Sequence, residues 1–187
     1  IAPLLADMGY RVLTFDHRGQ YESAHSERED AYQAHSLALD VIELAESFNL
    51  KKPHLLGHSF GGLIAQRALV ESPESWSSLT IFCSGPHWIP NKPDLEATIE
   101  IMKTMTMKES WDRFKEETDK LLPRYELYQK RWNASDPRST QSMALYLLEA
   151  EPLIEKIVAT KVPVHVIYGE NDDAWPLAMQ DQMAKDL

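Results

Sequence analysis

His54-Leu55-Leu56-Gly57-His58-Ser59-Phe60-Gly61-Gly62-Leu63-Ile64-Ala65 passes from a short apolar run, through a glycine-flanked serine, into a helical pattern. The spacing Gly57-x-Ser59-x-Gly61 at a strand-to-helix junction calls for a sharp reversal of the chain with the serine at its apex. Such a turn forces the central residue into a strained backbone conformation. Side chains two residues before and after the serine are expected to collide across the turn, so Gly57 and Gly61 both read as steric requirements. The reversal lifts the Ser59 hydroxyl clear at the carboxyl edge of a sheet, where open α/β sheets bind ligands. The helix that follows aims its free amides and positive dipole end at the same point. Seven glycines occur in the chain and three of them are Gly57, Gly61 and Gly62, so the cluster is a local signal rather than a compositional one. Two other readings compete: a glycine-rich turn with an idle serine, and a phosphate-binding loop. The second lacks the lysine that such a loop requires.

Outward from this stretch the chain alternates strand and helix patterns. Residues 4–8 read as the end of a helix, with Gly9 as its glycine cap. Residues 11–15 (Arg-Val-Leu-Thr-Phe) are β-branched and apolar and predict a buried strand ending at Asp16. A polar turn and loop follow, then an amphipathic helix over 31–48 with Ala34, Ala38, Val41, Ala45 and Phe48 at helical spacing. Pro53 precedes the short strand 54–56. The helix after Ser59 runs to about residue 70, and a further strand is expected over 78–83. Residues 163–168 (Pro-Val-His-Val-Ile-Tyr) predict the last strand, and 175–187 a helix with Pro176 in its first turn. This alternation implies an α/β fold, a mostly parallel sheet with right-handed crossovers and helices on both faces. The long strand-free interval is read as an inserted helical cap. The expected organisation is a core over 1–86, the cap over 87–161, and a return to the core over 162–187.

Composition narrows the class. The 187 residues, 43% hydrophobic and 26% charged, suit one soluble domain. A net charge of -10, from 29 acidic and 19 basic residues, repels phosphate backbones and argues against nucleic acid as a partner. Cys83 is the only cysteine, so no internal disulfide can form, and its apolar neighbours predict a buried, inert thiol. No stretch approaches the roughly 18 apolar residues of a membrane span. The first ten residues carry no basic stretch of a signal peptide, so a cytoplasmic location is expected and Asn133-Ala134-Ser135 reads as a chance sequon. Because the chain opens on Ile1 in what reads as a helix and stops at Leu187 in another, it is expected to be a piece of a longer protein.

Three blocks carry a resemblance to a known family: Asp16-His17-Arg18-Gly19-Gln20-Tyr21-Glu22-Ser23, Gly57 to Gly62, and Gly169-Glu170-Asn171-Asp172-Asp173-Ala174-Trp175-Pro176. Together they resemble the α/β-hydrolase superfamily, in its esterase and lipase-like branch with a helical cap, although Tyr21 stands where a second glycine is usual. The resemblance implies that Ser59 is the nucleophile of a serine hydrolase and that the Phe60 amide donates to the oxyanion. It implies that Asp172 is the triad acid, with Asp173 in reserve. The family's histidine follows its acid, yet all seven histidines here (17, 25, 35, 54, 58, 87 and 165) precede Asp172. The base is therefore expected beyond Leu187, and a second oxyanion donor before Ile1. The chain alone is expected to be inactive, with an exposed sheet edge and poor solubility. His58 adjoins the nucleophile but is expected to point away from it. His17 lies at a strand end where the family places no base. His54 and His58 have metal-pair spacing, which the strand-to-turn break spoils.

No cofactor or metal is expected. The implied partner is a small acyl substrate, with Trp88 and Trp175 as candidate pocket residues because both follow strand ends that face the nucleophile. Aromatic and methionine residues of the cap supply apolar walls. Hydrolysis of a small carboxylic ester through an acyl-enzyme is the leading reading. Amide, thioester or carbon–carbon cleavage would use the same residues, whereas haloalkane dehalogenation would require an aspartate at position 59. The alternative is a non-catalytic ligand-binding member of the same fold, without a working base.

Overall fold

A computed structural model describes residues 1–187 apart from 91, 117–119 and 173, and the side chains of these described residues other than Glu29 and Lys92. Three strands form one parallel sheet: β1 (His54–His58), β2 (Ser78–Phe82) and β3 (Val164–Ile167), in the order β1-β2-β3. Leu55, Leu79 and Val164 stand in register, as do Gly57, Ile81 and Val166. Because side chains alternate across a strand, these six share one face. That face meets the core, where Leu79 and Ile81 are fully buried. Helices α2 (Ala34–Ser47), α3 (Phe60–Glu71), α8 (Ile154–Thr160) and α9 (Leu177–Asp186) pack side by side in that order and close the core. Leu37 and Ala38 of α2, Ile64 and Leu69 of α3, Ile157 of α8 and Met183 of α9 belong to the same buried cluster. Leu153 and Ile157, within the stretch read from sequence as cap, are thus part of the main core.

The other face is more open: Leu56 is 45% and Ile167 51% exposed. Helix α1 (Ala2–Asp7) stands off this face across a cavity of about 580 Å³, whose walls include Leu5, Val12, Thr14, Leu56, Thr80 and His165. Gly9, at φ +91, follows α1 in the left-handed conformation expected of a glycine cap. The strand expected over 11–15 is a correction, since these residues form no strand. Among the described residues no backbone hydrogen bond joins them to another segment, and Leu13 and Phe15 remain 36% and 42% exposed. β-propensity expresses itself only against a neighbouring strand, and the cavity separates this segment from β1.

Between β2 and α8 lie α4 (Lys92–Met102), α5 (Met107–Phe114), α6 (Tyr125–Ala134) and α7 (Pro137–Glu149). Helix α5 starts at a capping box, in which the Thr106 side chain and the Glu109 backbone and side chain satisfy one another. It packs on α6 through Trp111 and Trp132, whose ring centroids are 6.2 Å apart. Helix α7 is tied to the loop after Asp16. The Asp136 amide donates to the Gly19 carbonyl at 2.7 Å, and its carboxylate accepts from the Tyr32 hydroxyl at 2.9 Å and from the Arg138 backbone at 2.9 Å. Gly19, at φ +74, has no room for a side chain, because a Cβ would lie 2.6 Å from Tyr32 and 2.7 Å from Ser139. Arg131 of α6 pairs with Asp16. Helices α6 and α7 thereby hold a loop that the sheet does not.

Burial raises the Asp136 carboxyl, but hydrogen bonds from Arg138 and Tyr32 outweigh it and bring its pKa from 3.8 to about 2. The folded value lies below the unfolded one, so the stabilisation is complete above about pH 4 and is lost as pH falls towards 2. Asp136→Ala removes both a helix cap and the partner of a buried hydroxyl. It is expected to cost about 2 kcal/mol in urea unfolding at neutral pH and to reduce the acid dependence of stability.

Candidate active site

Ser59 is the joint between β1 and α3. Its backbone has φ 52 and ψ -125, a conformation that costs an L-residue on the order of 1–3 kcal/mol. Two backbone bonds hold it there: its amide donates to the Phe82 carbonyl of β2 at 3.0 Å, and its carbonyl accepts from the Gly62 amide at 2.8 Å. The first of these ties the turn to the neighbouring strand. Phe60 opens α3, so its amide has no acceptor within the helix and is free to donate at the turn. Its ring is 8% exposed and lies edge-on to His17 and Tyr146, with centroids 6.4 Å and 6.2 Å away.

The glycine requirements fall partly elsewhere than the sequence suggested. A Cβ on Gly57 would lie 2.2 Å from the Gly61 carbonyl oxygen and 2.7 Å from the Gly62 Cα, all backbone. Gly61, in contrast, has open space where its Cβ would be, so the expected collision there is absent. The turn is asymmetric: the position two residues before the serine faces the helix backbone, while the position two residues after it faces open space. Gly62 is the second tight position, because its Cβ would lie 2.5 Å from Ser84, a fully buried residue after β2.

Ser59 and Asp172 line one cavity of about 500 Å³, together with His58, Cys83, Gly169, Glu170, Asn171 and Ala174. Asp172 is placed by the turn after β3. Its amide donates to the Gly169 carbonyl at 3.2 Å, and its Oδ1 accepts from the amides of Ala174 at 3.1 Å and Trp175 at 3.4 Å. Its Oδ2 is buried and has no hydrogen-bond partner among the described residues. A buried acceptor left open in this way has the valence for one more donor. Asp173, the reserve acid, lies outside the described residues.

Cys83 is a correction. It is half-buried and lines the cavity with Ser59. β2 ends at Phe82, and the chain turns left-handed at Cys83 (φ 46), which carries the thiol out of the core to the carboxyl edge of the sheet. Trp88 and Trp175 are not among the cavity's lining residues. Trp88 is 37% exposed, with its ring against His87 at 4.2 Å, while Trp175 is 1% exposed and its indole N–H donates to the His87 carbonyl. His58 does line the cavity, and its ring lies 5.2 Å from that of Phe82. His17 packs between Phe15 and Phe60, and its Nδ1 is buried without a partner among the described residues. Burial lowers its pKa, against the opposing pull of Asp40 and Asp16, so a neutral ring packs against Phe60. Among the described residues no group of three or more His, Cys, Asp or Glu is placed to hold a metal ion, and no helix is long and apolar enough to cross a membrane.

A family model described as alpha/beta hydrolase fold matches residues 1–126. The chain belongs to that family. The family's shared architecture accounts for the elbow at Ser59, the parallel sheet and the helical layer described above. A curated relative, rhodomycin D methylesterase DauP of Streptomyces sp. (strain C5), is 29% identical over 100 residues, covering 51% of this chain and 33% of that protein. Epoxide hydrolase A of Mycobacterium tuberculosis (strain ATCC 25618 / H37Rv) is 35% identical over 66 residues, covering 35% of this chain and 20% of that protein. The match therefore spans a third or less of these relatives' length. Among solved structures, a carboxylesterase study of Nitrososphaera gargenis provides a chain that superposes with a TM-score of 0.80 at 21% identity. That superposition covers 98% of this chain and 70% of the other, and shows a shared fold.

Proposed function

We propose that the protein is a serine hydrolase acting on a small carboxylic ester or related acyl compound through an acyl-enzyme on Ser59. One observation carries the reading: a strained serine at a helix N-terminus and a carboxylate with an open, buried oxygen share a single cavity. In this chemistry the Ser59 hydroxyl gives its proton to an imidazole as its oxygen bonds the carbonyl carbon. The Phe60 amide donates to the oxyanion, and the alcohol leaves with the proton held by the imidazole. Water then releases the acid and regenerates Ser59. Asp172 would receive the second N–H of that imidazole at Oδ2, while its Oδ1 stays bound to the loop amides. The four helices α4 to α7, of which α6 and α7 are tied to the loop at Asp16, would act as the cap that limits water at the site.

The preference for esters is drawn from relatives that bear esterase names, whereas another is named for epoxides. Acid-quenching the full-length natural protein during turnover of nitrophenyl acetate separates these chemistries. An acetyl group on the peptide containing Ser59 is the expected result. Failure to hydrolyse any ester or other acyl compound while folded, or turnover with the acyl group on another residue, would contradict the reading.

A second reading is favoured by a different observation: among the described residues no histidine is hydrogen-bonded to Ser59 or Asp172. On that reading the same cavity binds a ligand without reacting with it. The quench experiment separates the two, because a binder forms no acyl intermediate.

A further inference from the structure

Two buried glutamines lie outside the cavity, and each donates to the backbone of a loop at the carboxyl edge of the sheet. Gln66 of α3, 1% exposed, donates to the Gly85 carbonyl at 3.0 Å. Gln180 of α9, 0% exposed, donates to the Trp175 carbonyl at 3.0 Å. The Trp175 indole joins the two loops. It lies against Gly85 so closely that a Cβ there would sit 2.1 Å from the ring, and its N–H donates to the His87 carbonyl at 3.3 Å.

We propose that Gln180 and Trp175 are positioning residues that fix the direction of the Asp172 carboxylate. The inference rests on the serine-hydrolase reading for its consequence, though not for its geometry. Asp172 Oδ1 is held by the amides of Ala174 and Trp175, so the carboxylate turns with that short stretch of backbone. The stretch is fixed at its far end by Gln180 and on its inner side by the indole seated on Gly85. Gln66 anchors the Gly85 loop to α3, the helix that begins at the nucleophile. A continuous set of contacts thus connects Ser59 to Asp172 through the protein interior, and it leaves Oδ2 as the carboxylate oxygen with a vacant acceptor position. The cost of burying two glutamines is otherwise hard to account for, since each needs partners that an apolar residue would not. In Gln180 the accommodation is incomplete, because its Oε1 has no partner among the described residues.

The test compares Gln180→Met, which keeps volume but removes the donor, with Met183→Leu, a core change on the same helix. The first arm measures amide exchange at Ala174 and Trp175. Faster exchange at these two amides in Gln180→Met, with protection kept in Met183→Leu, is the expected result, and unchanged exchange in Gln180→Met would overturn the proposal. The second arm measures ester turnover by the full-length natural protein. Gln180→Met is expected to lower kcat on the order of 10- to 100-fold with little change in KM. It should also move the acid limb of the pH profile to lower pH, the direction expected when a carboxylate stops stabilising its imidazolium. Met183→Leu should leave that limb in place. Loss of activity in both variants with no movement of the limb in either would show a merely structural role. Absence of Ser59-dependent turnover in the wild type would contradict the hydrolase reading, and the exchange arm would still decide whether Gln180 holds the acid loop.

Discussion

Ser59→Ala in the full-length natural protein is expected to lower kcat/KM for a carboxylic ester by roughly 10⁴-fold or more, with the folded structure retained. The size follows from covalent catalysis: without the hydroxyl, no acyl-enzyme forms, and the remaining oxyanion donor and bound substrate supply only a small residual acceleration. A companion change separates chemistry from folding. Ser59 occupies φ 52, where a Cβ is strained, so Ser59→Gly should abolish turnover equally while raising stability by about 1 kcal/mol. Loss of activity together with a gain in stability is the signature of a strained residue retained for its reaction. Steady-state kinetics and urea unfolding on the two variants check both halves.

Gly57→Ala is expected to be the most damaging small substitution in the core, at roughly 4 kcal/mol or more. Its Cβ would approach the Gly61 oxygen to 2.2 Å and the Gly62 Cα to 2.7 Å, and neither is the movable end of a side chain. Relief requires β1 and α3 to separate, which breaks the Ser59–Phe82 bond that ties the elbow to β2. Gly61→Ala is the matched control. Its Cβ meets nothing within 4 Å, and alanine favours a helix, so the change should be nearly neutral or slightly stabilising. Thermal unfolding of the two variants, four positions apart in the chain, tests the asymmetry of the turn directly.

Much of the scaffold was legible because it is encoded locally. Gly57-x-Ser59-x-Gly61 marked the elbow, and the runs read as strands at 54–56, 78–83 and 163–168 became strands at 54–58, 78–82 and 164–167. What escaped depends on residues far apart in the chain. Residues 11–15 have the composition of a strand, but pairing needs a neighbour that composition does not describe. The tight position at Gly62 is set by Ser84, and the loop after Asp16 is held by Arg131 and Asp136, more than a hundred residues away. Cys83 belonged to an apolar run by sequence, yet the strand stops one residue earlier and the thiol turns to the cavity. Trp175 was singled out for its place after a strand end. Its position is indeed near the site, but the indole is buried against Gly85 rather than lining the cavity. Gln66 and Gln180 gave no signal at all, since a glutamine on a helix is ordinarily a surface residue.

The central claim, that Ser59 is an activated nucleophile paired with Asp172, is tested most directly by fluorophosphonate labelling of the full-length natural protein, with the adduct located by peptide mass spectrometry. The account predicts a single adduct on the peptide containing Ser59, absent in Ser59→Ala and formed much more slowly in Asp172→Asn. A folded protein that takes no label, or a label that survives Ser59→Ala, would contradict it.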